Sequence, residues 1–125
     1  MDREDPKDRQ GAMELTIEVR AKSGKFQELY QTFQALLPLI RKEMGCRDCR
    51  IYQDVDAGET FYLVIHWEAL TNIEHYLRSS TSGALLGAID LLTEKVRVKI
   101  DCNAPWEGIE ILKRMRRENR EAFRE

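Results

Sequence analysis

The chain has 125 residues, enough for one domain with a core of its own. Its 20 basic and 22 acidic side chains give a net charge of -2, which leaves no basic excess for a phosphate backbone and argues against nucleic acid as a partner. No run approaches the ~18 apolar residues of a membrane span and the opening MDREDPKDRQG is charged where a signal peptide is apolar, so a soluble cytoplasmic protein with no membrane partner is expected.

Residues 1–11 mix charges of both signs with Pro6 and Gly11 and read as a flexible leader. From Met13 the pattern alternates: Met13, Leu15, Ile17, Val19 and Ala21 against Glu14, Thr16, Glu18 and Arg20 predict a strand with one buried face. Phe26, Leu29, Tyr30, Phe33, Leu36, Leu37, Ile40 and Met44 recur at steps of three and four, the stripe of a long amphipathic helix. Pro38 lies inside that stripe and predicts a kink or brief break between Gln34 and Pro38, with Gly45 just past the helix end. A short strand over Cys49 to Gln53 and the loop Asp54 to Glu59 then lead as a hairpin into Thr60-Phe61-Tyr62-Leu63-Val64-Ile65-His66-Trp67. That run is apolar at nearly every position and predicts a strand buried on both faces.

Thr71 and Glu74 have the spacing of a capping box, and Ile73, Tyr76 and Leu77 share the inner face of the helix behind it. Ser82 is the expected cap of a further, largely buried helix from Gly83 to Leu92. Its Gly83 and Gly87 form a smooth strip suited to close helix packing or to a ligand. Val96, Val98 and Ile100 alternate with charges in a last strand. Glu107 to Glu125 carries Ile111, Leu112, Met115 and Phe123 in a charged segment expected to be helical and to support a dimer or stay loose. The organisation expected is a leader over 1–11, one domain over 12–103 and a charged C-terminal tail over 104–125.

Three cysteines in a cytoplasmic chain are expected to stay reduced. Cys46 and Cys49 form a C-x-x-C, but at a helix-to-strand turn, the reverse of the arrangement that lowers a redox thiol's pKa. They read as small hydrophobes. Zinc would need Cys102 with a histidine as further ligands.

The order of elements predicts an α+β fold: a ferredoxin-like split βαβ antiparallel sheet with helices on one face. The second and fourth strands are expected at the two edges and running the same way, which would put Cys49 and Cys102 at opposite ends and leave no metal site in one protomer. The outer sheet face carries Tyr62, Val64 and His66. Read as apolar, it calls for a second copy of the chain as cover and predicts a homodimer.

The turn from Gly45-Cys46 into Tyr52, the buried strand ending in Trp67, the helix from Asn72 to Ser79 and the run GALLGAIDLL resemble the antibiotic biosynthesis monooxygenase family of dimeric α/β-barrel proteins. The resemblance covers roughly Met13 to Asp101. It implies a ligand pocket between sheet and helices, and for some members cofactor-independent oxygenation of phenols and quinols or the degradation of haem. Trp67 matches the tryptophan common at the end of the third strand. The family histidine nine or ten positions on meets Tyr76 and Leu77, while His75 stands one position early on the side of the helix expected to face water. The asparagine that haem-degrading members carry on the first strand is missing here, since the first asparagine in this chain is Asn72. The expected site is therefore Trp67 and Tyr76 as catalytic side chains, with Ile65, His75 and Leu86 as substrate contacts, no metal and no cofactor. The function expected is oxygenation of a small phenol or quinol; the alternative is a non-catalytic dimeric module of the same fold that binds a small molecule or a partner.

Overall fold

The structure, a computed structural model, describes residues 12–122; the leader expected over 1–11 lies outside the described residues. Four strands, β1 (Met13–Ala21), β2 (Cys46–Gln53), β3 (Thr60–Trp67) and β4 (Thr93–Lys99), form one antiparallel sheet in the order β2-β3-β1-β4. The helices are α1 (Phe26–Arg41), α2 (Leu70–Tyr76), α3 (Ser80–Leu92) and α4 (Glu110–Ala122). This is the ferredoxin-like α+β fold expected from the sequence. Leu15, Ile17 and Val19 of β1 stand opposite Ile65, Leu63 and Phe61 of β3, and all six side chains face the helices. Leu29, Phe33, Leu36 and Ile40 of α1 close the core from above, and Phe61 stacks on Phe26 with ring centroids 4.8 Å apart.

The edge strands correct one expectation. β1 is antiparallel to β3 and to β4, and β3 is antiparallel to β2, so β2 runs with β1 while β4 runs with β3. The two edges therefore oppose each other. The starts of β1 and β2 and the ends of β3 and β4 share one end of the sheet, and Cys46 and Cys102 both lie at that end. The topological argument against a metal fails. Among the described residues, however, no three His, Cys, Asp or Glu side chains come together in a way that would hold a metal ion.

The outer face is also less apolar than expected. Tyr62 and Val64 are half-buried at its centre, but around them His66 Nε2 lies 2.8 Å from Glu14, Arg97 2.9 Å from Glu18 and Arg20 3.1 Å from Glu94. Trp106 stacks over Arg97 at 4.1 Å. Alternating positions of β1 and β4 carry opposite charges, so cross-strand ion pairs occupy much of the surface that the β3 pattern alone would leave bare.

Local boundaries moved for identifiable reasons. α1 continues through Pro38 without a break: Pro38 and Gln34 are both exposed, so the carbonyl left without its N–H partner can be hydrated. It ends at Arg41, which leaves Met44 exposed in the following turn. α2 begins at Leu70 with Ala69 at its cap and no side-chain bond there, so the Thr71–Glu74 capping box does not form. The chain is held instead by Glu68 N–H donating to Gly45 O at 2.9 Å. α3 starts three residues earlier than expected because Ser79, not Ser82, is the cap; Ser79 Oγ accepts from Ser82 N–H at 3.2 Å and Ser82 Oγ donates back to Ser79 O at 2.9 Å. α3 passes directly into β4, which spans Thr93–Lys99 and does not include Ile100.

Both sheet edges are engaged. On β2, Arg41 donates from Nε and Nη2 to Cys49 O at 3.0 and 2.8 Å. On β4, Val98 and Glu107 exchange backbone bonds of 2.7 and 2.8 Å, so the segment after β4 forms a one-residue bridge before α4 begins. α4 is docked rather than loose, with Leu112 buried in the core and Lys113 bonded to Asp90 of α3 at 2.9 Å.

Gly45 is where the backbone requires glycine. Its φ is +82°, and a Cβ there would collide with the Asn72 side chain. Gly45→Ala should therefore lower stability by about 1–3 kcal/mol, measured by urea denaturation. The added change Asn72→Ala should recover part of the loss, since it removes the collision and leaves the strained φ.

Candidate functional site

β3 ends on Trp67, and its alternation turns that side chain inward beneath α2. Tyr76, the last of the seven residues of α2, faces down onto it together with Ile73. The two rings are 5.3 Å apart and tilted by 35°. Trp67 is 0% exposed and Tyr76 1%. Neither Trp67 Nε1 nor the Tyr76 hydroxyl has a hydrogen-bond partner among the described residues. A buried polar atom left unpaired costs about 1–3 kcal/mol, so two side by side are an arrangement that packing alone does not favour.

A bulge in β2 builds the adjoining wall. Register shifts between Cys46 and Asp48, so Cys46 stands opposite Trp67 and Cys49 opposite Ile65. The extra residue puts two cysteines three apart on the same inner face. Burial, then the charge of Cys46, pushes the Cys49 thiol up from 9.0 to about 12 despite the opposing Arg41 guanidinium. The Cys46 thiol is raised as well, again chiefly by burial. Thiols held protonated in this way are poor nucleophiles, and all three cysteines are free. The Tyr76 phenol is raised too, first by burial, then by Cys49, Glu43 and Cys46, with Arg116 acting in the opposite sense. It stays protonated near neutral pH, so its hydroxyl keeps a proton to donate and can also accept, whereas the Trp67 N–H can only donate.

The other expected contacts separate. Ile65 is buried on β3 one inward position before Trp67, and Leu86 is buried on α3. His75 is exposed, and its Nδ1 lies 2.7 Å from Arg78 Nη2; since arginine cannot accept, the ring nitrogen does. Of the glycine strip on α3, Gly83 faces the Arg116 guanidinium and Gly87 has open space. Asn72 against Gly45 and Arg116 on the α2–α3 junction were not signalled, because an amide on a short helix and an arginine in a charged tail look like surface residues in sequence. On the outer side, a groove of about 650 Å³ whose lining includes Glu14, Asp48, His66 and Cys102 also reaches Trp67.

A four-stranded antiparallel sheet in this order with the helices packed on it defines a ferredoxin-like α+β protomer. Residues 13–86, more than half of the chain, match the family model of the antibiotic biosynthesis monooxygenases, and the chain belongs to that family. Solved structures agree on the fold. A Mycobacterium tuberculosis protein superposes with a TM-score of 0.68 at 16% identity, over 75% of this chain and 96% of that one. A Shewanella oneidensis protein gives 0.67 at 18% identity over 72% and 88%. A protein described as an antibiotic biosynthesis monooxygenase gives 0.66 at 13% identity over 74% and 99%. No curated protein matches the chain. Among the described residues no helix is long and apolar enough to cross a membrane.

The raised thiol predicts a pH dependence. A folded-state pKa above the unfolded one means that the unfolded chain loses its proton first, so stability should hold below pH 9 and fall between pH 9 and about 12. Cys49→Ala should reduce the slope of unfolding free energy in that window by up to about 1.4 kcal/mol per pH unit, read from urea denaturation at successive pH values.

Proposed function

We propose that the protein is a cofactor-independent monooxygenase of a small electron-rich aromatic, a phenol or hydroquinone, bound against Trp67 and Tyr76. The observation that carries this reading is the pair of buried groups able to donate, the Trp67 N–H and the Tyr76 O–H, with no hydrogen-bond partner among the described residues. Two neutral donors in a dry interior suit an anionic oxygen, and in low dielectric they stabilise it more than water-exposed donors would. A phenol that sheds its proton to solvent and places its phenolate between the Trp67 N–H and the Tyr76 O–H becomes the electron-rich form that dioxygen attacks. For a simple phenol the balance is phenol plus O2 giving quinone plus water. One oxygen atom bonds to the ring carbon para to the hydroxyl, the other leaves as water with the O–H and ring C–H hydrogens, and the substrate supplies all four electrons. Membership of the monooxygenase family supports the reading. In it Tyr76 donates to the phenolate and does not act as a base; Ile65 and Leu86 supply apolar walls, while His75 stands on the solvent side.

A second reading has its own support. Trp67, Ile65 and Leu86 are packed in the core, as in a non-catalytic module whose interior is filled by its own side chains. Oxygen uptake by a panel of hydroquinones and polycyclic phenols without added cofactor separates the two, since the module consumes none.

Within the oxygenase reading, Tyr76→Phe should lower turnover by about 10²- to 10³-fold, the usual effect of removing one donor to a developing oxyanion. Stability should be unchanged or higher, because the variant also removes an unpaired buried hydroxyl. His75→Ala should change little. If turnover survives Tyr76→Phe, or is lost in His75→Ala, the donor assignment is wrong. Dimerisation through the outer face, around Tyr62 and Val64, belongs to the same proposal, and a monomer in sedimentation at micromolar concentration contradicts it.

A further inference from the structure

Arg116 lies on α4, beyond the residues that match the family, and turns its guanidinium onto the segment that follows Tyr76. Its Nη1 shares two hydrogens among three acceptors within hydrogen-bond distance, Leu77 O at 2.6 Å, Ser79 O at 2.9 Å and Ser82 Oγ at 2.7 Å. Leu77 and Ser79 border the junction between α2 and α3. α2 has seven residues, too short to be stable by its own hydrogen bonds, so the position of its last turn depends on what holds the junction. A fixed positive charge at a helix C-terminus is also favourable there. The sequence of α3 makes room for it: a Cβ on Gly83 would lie 3.0 Å from Arg116 Nη2, and the nearest atoms it would meet all belong to Arg116. α4 itself is anchored independently, by buried Leu112 and by Lys113 on Asp90. Lys113 meets Asp90 while Arg116 reaches back to Ser82, so α4 runs antiparallel to α3 and delivers the guanidinium to the junction.

We infer that Arg116 is a positioning residue for the Trp67–Tyr76 pair, holding the end of α2, and with it the Tyr76 hydroxyl, against Trp67. The inference rests on the reading of those two side chains as the functional pair. It makes the C-terminal helix part of the site without contact with a substrate. Gly83 is then explained by the guanidinium that it admits rather than by a ligand.

The test uses the full chain carrying Trp106→Phe, in which Trp67 is the one remaining tryptophan. Arg116→Ala should raise the acrylamide quenching constant of Trp67 at least threefold while the far-UV spectrum and a single cooperative unfolding transition are kept. Gly83→Leu places a good helix former where the guanidinium lies, and should raise quenching in the same direction without removing Arg116. Should Arg116→Ala not fold cooperatively, Gly83→Leu decides alone. Unchanged quenching in a folded variant overturns the inference. Where a phenol is turned over, Arg116→Ala should cost little beyond Tyr76→Phe in the double variant, within about twofold, because both act through one hydroxyl. Full multiplication of the two losses overturns it. Quenching needs no substrate, so a protein that oxidises no phenol but shows the rise loses the oxygenase reading and keeps Arg116. Turnover that depends on Tyr76, with quenching unchanged in both variants, does the reverse.

Discussion

The pairing of β1 with β3 is the constraint on which the remaining structure depends. Leu15, Ile17 and Val19 meet Ile65, Leu63 and Phe61 pair by pair, and these six side chains are the floor on which α1 and α3 rest. A slip of one residue would turn that whole set to the other face, where Glu14, Thr16 and Glu18 now stand. The same register decides which way the last residue of β3 points. Trp67 is directed under α2 because it falls in phase with Phe61, Leu63 and Ile65, and the chain leaving it must climb over the sheet end as a short helix. The site is thus a by-product of strand phase: an aromatic donor at the end of a central strand, with the next element folded down onto it.

The interior around that end is costly in a specific way. Most of the core is hydrocarbon against hydrocarbon, but Trp67 and Tyr76 bring an N–H and an O–H into the same dry volume without a hydrogen-bond partner among the described residues. The neighbouring thiols are held protonated by the same burial. Two unpartnered groups that can both donate suit an oxygen-bearing group more than a cation or an alkane.

Much of this was legible in the sequence, and the parts that were not share a cause. Alternation in β1 and β3 and the three-four stripe of α1 report which face is buried, and burial set the strand order, the inward phase of Trp67 and the inward face of Ile73 and Tyr76. Element ends were less legible where tertiary ties outweighed local chemistry. The Thr71–Glu74 box lost to a start at Leu70 with Glu68 tied to Gly45, and Ser79 capped α3 in place of Ser82. The relative direction of β2 and β4 needed the pairings of β1 and β3 to be followed through, and was misjudged without them. Arg116 was invisible because its meaning depends on three acceptors more than thirty positions away.

The capped sheet edges govern how this protein can meet others. Arg41 occupies the Cys49 carbonyl on one side, and Glu107 takes both backbone groups of Val98 on the other. Another chain that approaches along the plane of the sheet finds the hydrogen-bonding positions at both borders partly filled, which opposes the edge-to-edge growth that leads to fibres. A chain that approached the broad face instead would have to match the opposite charges around Tyr62 and Val64. Such a contact would have a definite rotational setting, since like charges clash in the wrong one, and its strength would vary with salt as a stacking of apolar sheets would not.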